Sequence, residues 1–499
     1  MTVINRSMFP LSSGINNIMS MKERYDKLQT QLSSGQKASN LGEMGSDRYF
    51  DLALRARVSR IESYQNNIKT VNLRLNVLDQ TVGRLDTIES DARASTMSGS
   101  GGQASLNFQT TPTLASARFD EVMTLMNVDI AGRYLFGGAE TESKPVEDAY
   151  YALNGRGSQA GYKQVANERK QADLGTSHLG RLTLATATDT TTLAEDGTHP
   201  FGMKLASIST TSANITVNQP SGSPKSLSVQ IGAAQPAVGD TVTINFTMPD
   251  GTSEPITMTA VAAAGDPGSF VIGADADATA ANFGTALQAQ VKTLAEGKMV
   301  SSSAYAASEN FFYGQGGQPM RVDGPPFDSA TALVAGTDTN TIFWYKGEDS
   351  ADPRHTVTAK VGESTSVAYG VQANEAGLVN LVQSLAAMSI QTFTEADPTS
   401  TERYMSMIAR NTERLAETGD SNGSIAIIAV ELGLAKSTAG SIDERHTDHK
   451  AQLSNMVQDI EEAPTETVAM ELLALKTRLE ASYQTTAMLS QLSLVNYLK

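Results

Sequence analysis

The sequence predicts an α+β protein: a discontinuous helical coiled-coil stalk built from both termini, with an inserted β-rich central region. Three observations lead there. Apolar residues recur every seven positions near the start of the chain, they step by three and four near its end, and those between alternate in twos.

The first helix is predicted over residues 12–33, with Ile15, Ile18, Tyr25, Leu28 and Leu32 along it and Gly35 placed to end it. The Gly, Ser and Asn residues of 34–45 break the chain. Helix then resumes, and Leu54, Ile61, Ile68, Leu75 and Val82 form one heptad row beside Tyr64, Val71, Leu78, Leu85 and Ala92. From Leu54 to Ala92 that seam is a rod of roughly 58 Å, at about 1.5 Å per residue. Residues 98–102 (SGSGG) are a flexible connection. A third helix is predicted over 114–136, carrying Phe119, Val122, Met126 and Ile130 and stopped by Gly137-Gly138.

From there to residue 397 the period becomes two. Val242, Ile244, Phe246 and Met248 alternate with polar residues, Pro249-Asp250-Gly251 turns, and Ile256 and Met258 alternate again, which is a hairpin signal. Leu227/Val229/Ile231 and Val357/Ala359/Val361 predict further strands, and Phe283, Leu287, Val291 and Leu294 one helix within this block. Helix returns near residue 402. The row Ile425, Ile428, Leu432, Ala435, Ala439, Ile442, His446, His449, Leu453, Met456 and Ile460 then runs without a break. Ala463-Pro464 interrupts it before a last helix carrying Val468, Leu472, Leu475 and Leu479, with Pro464 or Thr465 at its start.

The expected organisation is an N-terminal assembly helix (1–41) that pairs with a C-terminal one (464–499). Residues 42–146 and 398–463 are the two halves of the helical stalk, and 147–397 are the inserted outer region. The outermost segments have apolar faces but few residues with which to bury them in one subunit. Their apolar positions, Ile15, Ile18, Leu28, Leu32, Leu472, Leu475, Leu479, Leu489 and Leu492, are the candidate assembly interface.

Composition narrows the function. At 499 residues the length suits about two to four domains. A formal net charge of -16 argues against nucleic acid and anionic membrane surfaces as partners. With no cysteine, disulfides, thiol nucleophiles and Cys zinc sites are ruled out. The first thirty residues lack a basic stretch followed by an apolar core, so no Sec-type signal is expected. Uninterrupted apolar runs such as residues 425–430 are too short for membrane insertion.

Several segments resemble a known family. Gln31-Leu32-Ser33-Ser34-Gly35 resembles the end of a flagellin-type first helix, followed by a similar stretch from Ser46-Asp47-Arg48 to Asn72. Tyr134-Leu135-Phe136-Gly137-Gly138 with Lys144-Pro145-Val146 is similar to the family's exit into its variable region. Leu479-Glu480-Ala481-Ser482-Tyr483 and the closing Leu492-Ser493-Leu494-Val495-Asn496-Tyr497-Leu498 complete the match, which covers roughly 1–146 and 400–499. The chain thus resembles the bacterial flagellin superfamily, and most the flagellar hook-associated protein 3 family of hook-filament junction proteins. The usual flagellin phrase after the first turn is replaced by Gln36-Lys37-Ala38-Ser39-Asn40-Leu41-Gly42, and the Leu-Leu-Arg ending is absent. Both departures favour the junction branch, although the chain is longer than its typical member.

The resemblance implies a structural, non-enzymatic part of the bacterial flagellum, exported unfolded by the flagellar type III system and located extracellularly at the hook-filament junction. Its implied partners are copies of itself, other hook-associated protein and flagellin subunits, and a flagellar export chaperone. Filament flagellin is the alternative. An extracellular adhesin or hydrolase head on a coiled-coil stalk is a third reading.

Candidate chemistry is thin, and no catalytic, cofactor-binding or metal-binding residues are expected. His446 and His449, three apart on a helix, have a spacing that suits zinc, but they fall on the apolar row without a third ligand. Asp275, Asp277 and Thr279 lack the Gly and closing Glu of a calcium loop, so Asp277 or Thr279 is expected to cap the Phe283 helix. Gly314-Gln315-Gly316-Gly317 has no following Lys-Ser pair and is expected to be a plain loop. Paired carboxylates in the insert remain open as a glycosidase acid and base. Trp344, within Ile342-Phe343-Trp344-Tyr345, is expected in a buried strand rather than on a binding platform.

Overall fold

The computed structural model describes residues 9–99, 108–416 and 423–497. It is mixed helix and sheet, as expected of an α+β chain. The helices are α1 (Phe9–Ser34), α2 (Arg48–Gly99), α3 (Thr110–Met126), α4 (Ala149–Asn154), α5 (Tyr162–Leu174), α6 (Ala276–Leu294), α7 (Val300–Phe311), α8 (Ala376–Ser389), α9 (Ser400–Arg414), α10 (Ile425–Glu461) and α11 (Thr465–Tyr497). Contacts divide the chain into two compact units. The smaller comprises Met1–Val71, Lys360–Ser366 and Thr438–Lys499; the larger comprises Asn72–Ala359 and Val367–Ser437.

In the smaller unit, α2 and α10 run antiparallel. Arg55 pairs with Glu461, Glu62 with Lys450 at 2.8 Å, and Gln65 donates to Thr447 at 3.0 Å, so positions rise on one helix as they fall on the other. Between these polar rungs the expected rows are buried: Ile61, Ile68 and Val71 on α2, and Ala439, Ile442 and Leu453 on α10. His449 and Met456, expected on the same row, are exposed instead. Strict steps of three and four drift around a straight helix, which carries the end of the row out to solvent.

In the larger unit, Leu75, Leu78, Val82, Leu85 and Ala92 of α2 are buried, as are Ile425, Ile428, Leu432 and Ala435 of α10. Among the described residues α10 alone is long and apolar enough to cross a membrane by length and composition. Its two charges in that stretch are engaged in this unit: Glu431 pairs with Arg354 at 2.6 Å and Lys436 with Asp79 at 3.2 Å.

The third helix ends at Met126, ten residues before the expected stop. Beyond it, β1 (Asp129–Ile130) and β2 (Arg133–Tyr134) form a hairpin closed by Ala131-Gly132, both at positive φ, with the Gly132 amide on the Asp129 carboxylate at 2.8 Å. A two-residue turn with this geometry matches the twist of its strands and outweighs the helical spacing of Ile130.

Two four-stranded sheets follow. Their strands are β3 (Leu182–Ala187), β4 (Thr190–Glu195), β5 (Lys204–Thr210), β6 (Ile215–Ser221), β7 (Ser226–Ile231), β8 (Thr241–Thr247), β9 (Ser253–Val261) and β10 (Ser269–Val271), in orders β3-β4-β7-β6 and β10-β9-β8-β5. The expected hairpin is β8 paired antiparallel with β9, Val242 opposite Met258 and Ile244 opposite Ile256. Alternation puts Val242, Ile244 and Phe246 inward, where they share one apolar cluster with Leu227, Val229 and Ile231 of β7 and with Phe283, Leu287, Val291 and Leu294 of α6. Asp275 caps α6, its carboxylate accepting from the Ala278 amide at 2.8 Å, where Asp277 or Thr279 was expected. Thr279 is instead buried, its hydroxyl accepting from the Gly273 amide. The expected strand at 357–361 is three residues long, Thr358–Lys360.

The block 147–397 holds five helices, α4 to α8, where the sequence predicts one. Their burial explains the difference. Almost every residue of α8 from Gly377 to Met388 is buried, its polar Gln383 and Ser384 included, so burial does not follow an alternation of polar and apolar residues. In α7 the run Ser301-Ser302-Ser303-Ala304 is buried, small side chains allowing close approach.

Candidate assembly surface

Helices α1 and α11 lie together in the smaller unit. Along α1, Ile18, Met21, Tyr25 and Leu28 step by three and four, and along α11 so do Val468, Leu472, Leu475 and Leu479; these rows meet in one apolar cluster that also takes in Ala463. Gly35 ends α1 in the left-handed region at φ +71°, its amide on Gln31 O at 2.9 Å. Pro464 precedes α11, and its carbonyl accepts from the Val468 amide. Arg24 pairs with Glu471 at 3.1 Å, and with Gly35 beside Ala463 this makes the two helices antiparallel.

Leu28, Leu475 and Leu479 of the expected interface are buried in that cluster, and Ile18 and Leu472 are half-buried against it. Ile15 and Leu32 are not brought in: they are 48% and 40% exposed. Leu489 and Leu492 belong to α11, but their side chains lie outside the described residues, as does most of the expected connection at 98–102.

Sequence periodicity missed a second apolar face. Met19, Met470, Leu473, Tyr483 and Met488 are exposed, Leu473 by 63%. Twelve of the twenty exposed large apolar side chains among the described residues sit in the smaller unit, which is much the shorter of the two. Leu472-Leu473 side by side carries the signal: neighbours on a helix point about 100° apart, so an apolar pair there widens the stripe beyond what one partner covers.

The segment from residue 134 to 146 is fixed in the larger unit. Leu135, Phe136 and Val146 are buried. The Gly138 amide reaches Val371 O at 3.0 Å, and a Cβ on Gly137 would sit 2.4 Å from Glu140 O.

The other candidate groups are occupied by packing. His446 places Nε2 2.7 Å from Val361 O and stacks on Tyr64. No three His, Cys, Asp or Glu side chains converge among the described residues. In the Gly314–Gly317 loop the Gly316 amide is taken by the Asp349 carboxylate at 2.7 Å. Trp344 is fully buried, its Nε1 donating to Tyr313 O at 3.0 Å, but the expected strand does not form: the chain bends at Trp344 between isolated bridges of Thr341 to Ala160 and Tyr345 to Val146. Glu375 and Glu431 flank the Arg354 guanidinium, which pairs with both. Burial pushes Glu375 up to about 7 against the pull of Arg354.

No protein-family model matches this sequence, and no curated protein matches it.

Proposed function

We propose that this chain is a structural, non-enzymatic subunit of the bacterial flagellum that joins the hook to the filament by self-assembly through its terminal helices. In this reading the helices from both termini form a discontinuous coiled-coil stalk, and the central region faces outward. The subunit is exported by the flagellar type III system and escorted by a flagellar export chaperone. It packs against copies of itself and against other hook-associated protein and flagellin subunits, outside the cell.

The single observation that carries this is the two-sided apolar character of α1 and α11. One face of each is used up in their mutual cluster, while Ile15, Met19, Met470 and Leu473 remain exposed. Exposed apolar side chains grouped beside a packed seam mark a surface for further partners. The resemblance of residues 31–35, 134–146 and 479–498 to hook-filament junction proteins names the assembly. In cells that make flagella with this protein, Leu475→Asp combined with Leu489→Asp is expected to abolish incorporation and shed filaments. Normal filaments from that double variant would end the proposal.

A further inference from the structure

A cavity of about 300 Å³ in the larger unit is lined by three cationic side chains and no carboxylate: Lys163 and Lys170 of α5, and Arg403 of α9. Positions 163, 167 and 170 step by four and three, so Asn167 shares their face of the helix. Val300 and Ala304 of α7, with Ala166 and Ile390, form the apolar part of the wall.

The two lysines are poorly compensated. Lys163 donates to Asn154 Oδ1 at 2.8 Å, a neutral acceptor that leaves its charge unbalanced. Lys170 has no hydrogen bond or ion pair among the described residues. Arg403, which pairs with Asp397 at 2.7 Å through Nη2, is compensated and closes the wall beside them. An ammonium without a counter-charge is answered best by an oxygen anion.

We propose that this cavity binds a small oxyanion ligand, a carboxylate or phosphate group carried on a compact body with an apolar flank. The net charge of -16 repels long polyanions from the molecule as a whole, and the volume of about 300 Å³ suits a small ligand. This site is separate from the α1–α11 surface and stands apart from the assembly role.

The test is calorimetric titration of the purified full chain with inorganic phosphate, with glucuronate and with neutral glucose. At least one of the two anions is expected to bind saturably and glucose not at all. Which anion binds distinguishes a phosphate from a carboxylate ligand. Lys163→Gln with Lys170→Gln, both on the helix surface, should weaken binding at least tenfold while the thermal unfolding midpoint is unchanged. Absence of saturable binding by either anion, or equal affinity in the double variant, overturns the site.

Discussion

Gly35 gives its carbonyl to the amide of Ala463 at 2.8 Å, which ties the residue that ends α1 to the corner between α10 and α11. Beside that bond the Lys37 amide donates to Glu461 O at 2.7 Å and the Lys37 ammonium to Asp459 O at 2.9 Å. Opposite ends of the sequence are thereby joined by backbone. Gly35 reaches this position at φ +71°, where a Cβ would meet no atom but would strain the main chain.

Leu473 and Leu475 stand two positions apart on α11, 63% and 8% exposed. Leu475→Ala should cost the smaller unit about 2–3 kcal/mol, because a buried leucine leaves a cavity. Leu473→Ala should stay within about 0.5 kcal/mol in the isolated chain. Assembly reverses the ranking, since Leu473→Asp is expected to block incorporation while the monomer unfolds normally in urea. Equal effects of the two positions on the monomer would remove the distinction between inner and outer faces.

In the larger unit Arg410 and Asp250 form an ion pair at 2.5 Å, both almost fully buried. Burial pushes the Asp250 carboxyl up, but the Arg410 guanidinium and the Thr252 hydroxyl outweigh it and hold it below the usual carboxylate range. A depressed acid contributes stability above its unfolded value near 4, which is lost as pH falls through the folded value. Arg410→Met should cost about 3–5 kcal/mol by stranding a buried charge. Adding Asp250→Asn should recover part of that loss; a double variant no more stable than Arg410→Met alone would contradict it.

Glu375 has the opposite sign. Burial, with Glu431 adding repulsion, raises it to about 7 in spite of Arg354. The folded state then keeps a proton that the unfolded state releases above about 4.3, so stability falls as pH rises from there to about 7. The slope is at most about 1.4 kcal/mol per pH unit for one proton. Glu375→Gln should flatten this part of the curve in denaturant titrations. A slope that persists unchanged in that variant would assign the proton elsewhere.

The long helices were legible because α2 and α10 are amphipathic: Ile61, Ile68, Leu75 and Val82 are buried at the spacing in which they occur. The β8–β9 hairpin was legible for the same reason at period two. Where burial is complete the pattern vanishes. Helix α8 buries Gln383 and Ser384 along with its apolar residues, and α5 hides Arg169 against Asp173 at 2.9 Å inside the protein, where a polar run reads as surface. Of the candidate interface, Leu28, Leu475 and Leu479 were visible as a row, whereas Leu473, off that row, is signalled only by its place beside Leu472, and Met470 shows only in its exposure.

Counting this chain in separated hook-basal and sheared-filament fractions of purified flagella tests the central claim most directly. A small fixed number of copies per hook, retained at the hook tip, is the predicted result. Copies distributed along the filaments would make the chain a filament flagellin, and its absence from both fractions would contradict the account outright.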